Sequence, residues 1–221
     1  MRTSSAPTWG YEVKLLSATP SPYARKVRVA LIEKGIPFEL MTELPWNPGT
    51  TAPNFNPLGK IPILVLDDGR VVHDSKVIVE YLEMLGRPPQ LLPSDPSLRL
   101  AHKQIEATAD GVCDAVVLIV LERSRSPALQ SGDWVGRQLR KVEAGTRALE
   151  DELGGRQWFV GYAFGLADIA VGCMLGYLDL RLPEFDWRSR HANLVAFGER
   201  IFARPSFAAT VPVAQQITEV Q

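Results

Sequence analysis

Cysteine is scarce in this chain. Among 221 residues only Cys113 and Cys173 occur, far apart and in neither CxxC nor Cys/His spacing. That pattern argues against a disulfide framework or a structural zinc site and suits a reducing compartment. An excess of either charge is missing too. Twenty-four Lys and Arg stand against 25 Asp and Glu, for a formal charge of −1. A nucleic-acid binder or a polybasic membrane protein needs a surplus of cations, so neither kind of partner is expected. No run of 18 apolar residues occurs, and the first ten residues, MRTSSAPTWG, lack an apolar signal core. The expectation is a soluble, cytoplasmic protein. His73, His102 and His191 show no metal or triad spacing and read as surface or packing residues, so no metal is expected. Internal repeats are absent as well.

What remains is ordinary globular composition, 46% apolar and 22% charged. A chain this long buries about 70% of its unfolded surface and folds without staples. The first part alternates short apolar runs with helical patterns. Val13–Leu16 reads as a strand, and a Pro/Ser loop leads to a helix with Tyr23, Val27, Ala30, Leu31 and Lys34 on one stripe. Arg25, Lys26, Arg28 and Glu33 fall off that stripe, and a terminal lysine such as Lys34 is expected to snorkel to water. Gly35 and Pro37 stop the helix, and Phe38–Met41 suggests a second strand. Ile61–Leu66 is apolar at every position, which suits a strand covered on both faces. Asp68-Gly69 supplies a hairpin turn into Val71-Val72, and Ser75 opens a helix closed by Gly86 and Pro88-Pro89. The layout is βαβ followed by ββα.

Residues 87–96, RPPQLLPSDP, hold four prolines and read as a linker. Beyond them the pattern is helical only. Leu98, Ala101, Ile105, Thr108, Val112, Ala115 and Ile119 form one narrow seam, and Val135, Leu139, Val142, Thr146, Leu149 and Leu153 a second. Residues 167–180 are apolar nearly all round, as in a helix inside a bundle, and 193–203 make a further helix. The expected domains are 11–87 (α/β) and 96–221 (all-α), joined by 88–95, with residues 1–10 disordered.

Three stretches could carry chemistry. Ser21-Pro22 is a favoured N-cap followed by a favoured first helical residue, so the plain reading is a well-capped helix. The functional reading is a hydroxyl beside unpaired N–H groups at the positive end of a helix, where an anion is stabilised. Asn56-Pro57-Leu58-Gly59-Lys60-Ile61-Pro62 ends on a proline that either opens an edge strand in trans or turns the chain sharply in cis, exposing the Ile61 backbone to an extended peptide. Asp74-Ser75 is a second cap, or a grip in which Asp74 meets an ammonium while Ser75 and free N–H groups take a carboxylate. Trp46 and Tyr23 read first as packing residues and second as the border of an apolar pocket, Cys113 and Cys173 as small buried hydrophobes, and Arg123–Arg125 and Arg137–Lys141 as solvated.

In this order and spacing the three stretches resemble the glutathione S-transferase superfamily, in a serine-type, zeta-like pattern. The resemblance covers most of the chain. It extends to Phe159-Val160-Gly161, Leu166-Ala167-Asp168-Ile169-Ala170 and Arg204-Pro205-Ser206-Phe207. It implies a thioredoxin-like N-terminal domain, a helical-bundle C-terminal domain, a homodimer, and glutathione as co-substrate. It implies that Ser21 contacts the glutathione sulfur, with Thr19 and then Ser17 as rival donors. Lys60 reaches the glycine end, Ile61 pairs with the cysteinyl backbone, Pro62 is the family's cis proline, and Asp74 and Ser75 hold the γ-glutamyl group. Two positions depart from the pattern. Asp74 stands where Glu or Gln is usual, and Gly165 where Ser or Thr normally completes a capping box with Asp168. A serine cannot form a mixed disulfide, so conjugation to a small, largely hydrophobic electrophile is the expected reaction. The electrophile's contacts are expected from residues 96–125 and the C-terminal tail. A glutathione-dependent isomerase or dehalogenase, or a non-catalytic relative, are the alternatives.

Overall fold

The computed structural model describes residues 13–215, so the expectation of disorder for 1–10 lies outside the described residues. The chain runs β1 (Val13–Ser17), α1 (Pro22–Glu33), β2 (Phe38–Thr42), β3 (Ile63–Val65), β4 (Val71–Val72) and α2 (Ser75–Met84). The strands form one sheet in the order β2-β1-β3-β4. β1 and β2 are parallel, which requires a crossover, and α1 supplies it. The β1–β3 and β3–β4 pairs are antiparallel. This is the expected βαβ-ββα unit of the thioredoxin-like kind. β3 is shorter than the apolar run 61–66, because Pro62 has no N–H for a ladder and Leu66 already belongs to the turn closed by Gly69 N to Leu66 O. Gly69, at φ +82°, takes the left-handed conformation that this turn needs. The strand is covered on both faces as expected. Leu64 joins the main core, while Ile63 packs with Leu16 and Ala52 on the other side.

The helical half comprises α3 (Pro96–Arg123), α4 (Gly132–Leu153), α5 (Leu166–Arg181), α6 (Ala192–Phe202) and α7 (Pro205–Ala208). α5 is buried at every residue from Leu166 to Leu178 and forms the axis of the bundle. On α3 the expected seam is buried at Ile105, Val112, Ala115 and Ile119, whereas Leu98 is exposed.

The basic charges of α1 lie off its apolar stripe, yet water barely reaches them. Arg25, Lys26 and Arg28 are not solvated. They are 2%, 1% and 5% exposed. The cause is tertiary: α1 lies between the sheet and the helical half, so both of its faces are covered. Lys26 Nζ sits 2.8 Å from Glu106 Oε1 and 2.8 Å from Asp110 Oδ2, both on α3. Arg25 donates to the Phe207 carbonyl and lies 5.0 Å over the Phe207 ring. Lys34 does not snorkel either. It pairs with Glu83 and donates to the carbonyls of Arg87 and Pro89 at 2.8 and 3.0 Å. The Pro-rich connection is thereby packed down, with Leu91 and Leu92 buried and the Leu91 carbonyl accepting from Leu166 N at 2.8 Å.

Gly165 has a physical explanation. Asp168 accepts from the Gly165 and Phe159 N–H groups at 2.9 Å each, which is one half of a capping box. The other half comes from α3: His102 Nδ1 accepts from Ala167 N at 3.1 Å, standing in for a cap hydroxyl. A Cβ at residue 165 would meet His102 Cε1 at 2.5 Å and the Leu91 carbonyl at 2.8 Å. Burial lowers the His102 pKa to about 4, so the ring stays neutral and able to accept.

Serine is a good N-cap in general, yet Gly165→Ser is expected to destabilise the fold by about 1–3 kcal/mol through overpacking. Adding His102→Ala should recover part of that loss. Urea unfolding of the two variants checks this, and a stabilised Gly165→Ser protein would contradict it.

Candidate functional site

A cavity of about 300 Å³ opens where the start of α1, the loops at 44–47 and 59–62 and the start of α2 face α3 and α5. Its position follows from local chain chemistry. After β1 the chain turns, with Ser21 N donating to the Ala18 carbonyl at 3.2 Å, and Ser21 caps α1 in an extended conformation. Ser21 Oγ accepts from Ala24 N at 3.2 Å, and Arg25 N reaches the Ser21 carbonyl at 2.9 Å. Pro22 has no N–H, so the Tyr23 amide is the free donor left in that turn. With its oxygen accepting, the Ser21 hydroxyl keeps its proton available to donate. Two buried guanidiniums, Arg25 and Arg28, lie within the first two turns. Burial lowers the pKa of each, and among the described residues neither forms a salt bridge with a carboxylate. An anion at the head of α1 thus meets a hydroxyl, an amide and the helix dipole.

The loop before β3 is held by buried Asn56. Its Nδ2 donates to the Lys60 carbonyl at 2.8 Å, and its Oδ1 accepts from Leu58 N at 3.0 Å. The Ile61–Pro62 bond is cis. Neither the N–H nor the carbonyl of Ile61 has a partner among the described residues, so both can pair with an extended ligand. At α2, Asp74 Oδ1 accepts from Lys76 N at 3.0 Å, while Ser75 is buried at the cavity wall.

The structure brings Ser21, Lys60, Ile61, Pro62, Asp74 and Ser75 to this one cavity. It does not bring Thr19 or Ser17 there. Thr19 Oγ1 donates to the Val213 carbonyl at 3.1 Å, and Ser17 is buried at the end of β1. Tyr23 and Trp46 both line the cavity, the second of the two readings open to them from sequence. The Tyr23 hydroxyl donates to Asp114, and burial together with nearby acidic groups holds its pKa well above the usual phenol range. Asp114, Val117 and Gln215 come from the two segments expected to meet the electrophile, whereas Tyr177 and Arg181 on α5 come from neither. One signal for Asp114 was available. His102, Glu106, Asp110 and Asp114 recur every four residues, a polar stripe along one face of α3.

Residues 20–85 match the family model of the glutathione S-transferase N-terminal domain, and residues 132–200 that of the C-terminal domain. The uncharacterised GST-like protein YibF of Escherichia coli K12 is 40% identical over 200 residues, covering 90% of this chain and 98% of YibF. A crystal structure of a glutathione S-transferase from Methylobacterium radiotolerans, in complex with glutathione sulfonate, superposes with a TM-score of 0.92 at 52% identity, covering 95% of this chain and 99% of that one. A glutathione transferase family member from Pseudomonas fluorescens Pf-5, with bound S-(propanoic acid)-glutathione, matches at TM-score 0.81 and 37% identity, covering 91% of this chain and all of that one.

Because Asp74 caps α2 through one oxygen, Asp74→Asn is expected to keep the cap and stay within about 0.5 kcal/mol of the parent protein, whereas Asp74→Ala loses about 1 kcal/mol. Chemical denaturation separates the two. Equal losses would show that the cap contributes nothing.

Proposed function

The chain belongs to the glutathione S-transferase superfamily, and we propose that it is a transferase that ionises glutathione at Ser21 and joins it to a small, largely apolar electrophile. The observation that carries this reading is Ser21 at the head of α1, lining the same cavity as Lys60, Ile61, Pro62, Asp74 and Ser75. In this assignment Lys60 takes the glycine carboxylate. Ile61 pairs with the cysteinyl backbone through its free N–H and carbonyl beside cis Pro62. Asp74 meets the γ-glutamyl ammonium with the oxygen not used for capping, and Ser75 with the first α2 amides holds the γ-glutamyl α-carboxylate. The tripeptide's sulfur then comes to Ser21.

The reaction follows from thiol chemistry. Glutathione's thiol gives its proton to water, and the thiolate accepts a hydrogen bond from Ser21. Its sulfur donates an electron pair to the electrophilic carbon. In a substitution the leaving group departs with its bonding pair, and the product is a thioether. Lowering a thiol pKa from about 8.5 to about 6.5 takes about 2.7 kcal/mol and raises the thiolate fraction at neutral pH from about 3% to about 75%. A charge-assisted hydrogen bond and a helix N-terminus together are of that size. The Pseudomonas relative holds a glutathione thioether, which supports a product of this kind here. A homodimer working in the cytoplasm in electrophile detoxification completes the proposal.

With 1-chloro-2,4-dinitrobenzene as electrophile, Ser21→Ala is expected to lower kcat about 10²-fold, the usual effect of removing one donor from a developing or bound anion. Thr19→Ala should act far less. Ser75→Ala should elute earlier than the parent protein from immobilised glutathione. If Thr19→Ala abolished turnover while Ser21→Ala did not, the assignment of the donor would be wrong.

A further inference from the structure

The transferase reading leaves the chemistry of the electrophile open, and the α5 wall of the cavity addresses it. Past Asp168 in its first turn α5 is apolar until its end, where Tyr177 and Arg181, four residues apart on one face, reach the cavity. The neighbouring acid is already committed: Asp179 accepts from Trp187 Nε1 and from Arg188, each at 2.8 Å. Arg181 forms no salt bridge with a carboxylate among the described residues, and its Nε is buried without an acceptor there. Tyr177 brings a phenol O–H to the same wall, and its proton is a second donor there. Burial raises the Tyr177 pKa to about 12, so that proton stays in place at neutral pH.

The other acids of the cavity are occupied. Asp74 caps α2, and Asp114 accepts from Tyr23. Trp46 and Val117 add apolar lining. The cavity that Ser21 borders therefore also holds a half-buried cation with no salt-bridge partner among the described residues. A guanidinium presents a planar fork of donors matched to a carboxylate, and burying such a donor unpaired is the unfavourable state.

The geometry points to an electrophile that carries a carboxylate, seated against Arg181 and the Tyr177 hydroxyl, with its reactive carbon toward the sulfur at Ser21. This deepens the transferase reading and rests on it. The carboxylate is a spectator in the reaction. It orients the substrate and selects it against neutral analogues.

Binding tests this without turnover. Two thioethers of nearly the same shape, S-(4-carboxybenzyl)glutathione and S-(4-carbamoylbenzyl)glutathione, differ only in the charge at the ring's far end. Titration calorimetry on the parent protein should find the carboxylate bound at least tenfold more tightly than the carboxamide. Arg181→Gln should abolish that preference, and Arg181→Lys, which keeps the charge but loses the fork, should restore part of it. Equal affinities on the parent protein would overturn this proposal alone, whether or not the variants fold. Failure of both thioethers to bind would overturn the transferase reading together with it. A preference that survives Arg181→Gln would assign the carboxylate to another residue and likewise overturn the proposal.

Discussion

Helix α1 is held from outside by a set of polar contacts to α3, three of whose charges, Lys26, Glu106 and Asp110, are buried. On α3 the side chains of Glu106, Asp110 and Asp114 follow one another at four-residue intervals, and α1 answers with Lys26 and Tyr23. Lys26 reaches Glu106 and Asp110 at 2.8 Å, and the Tyr23 hydroxyl donates to Asp114. Burying three ionised groups is unfavourable unless they are paired, and breaking such a set costs about 3–5 kcal/mol. An apolar interface would let one helix slide against the other. These bonds fix the register, and with it the position of Ser21 opposite the α3 and α5 walls. Lys76, 3.5 Å from Asp110, ties the start of α2 into the same network. Both helix starts that border the cavity therefore share one anchor on α3.

From that constraint the electrostatics of the cavity follow. The head of α1 is turned toward the open space while its flanks are sealed, so its dipole is little screened by solvent. Behind that head Arg25 and Arg28 are buried along α1, where they hold the neighbouring chain in place. Arg28 also donates to the Thr19 carbonyl at 3.3 Å, which steadies the loop that delivers Ser21. The C-terminal segment closes the same side: Thr210 receives Arg25 Nε, and the Val213 carbonyl receives Thr19. A hydroxyl that would otherwise be an ordinary helix cap thereby sits in a field favouring a bound anion.

Much of this was legible in the sequence, and the exceptions have causes. The βαβ-ββα order was legible because strand and helix periods differ and Gly35, Asp68-Gly69 and Gly86 mark the stops. Six cavity residues were legible because caps and a proline-bearing loop have local signatures. The burial of Arg25, Lys26 and Arg28 was not. Charge on a helix reads as solvent exposure unless its partner is known, and the partners of Lys26 lie 80 and 84 residues away. The four-residue stripe on α3 was visible in principle, but its meaning depends on α1 lying across it. Gly165 read as a departure from the capping box because the compensating group, His102, comes from another helix. Arg181 carried no local signal at all, since a cation in the last turn of a helix is ordinary.

The central claim is that the head of α1 makes a bound thiol more acidic. Titrating the ultraviolet absorbance of the thiolate in the binary complex with glutathione measures this directly. The account predicts an apparent pKa well below the ordinary value of about 8.5 in the parent protein, returning toward that value in Ser21→Ala. The same pKa in both proteins, at the value for free thiol, would contradict it.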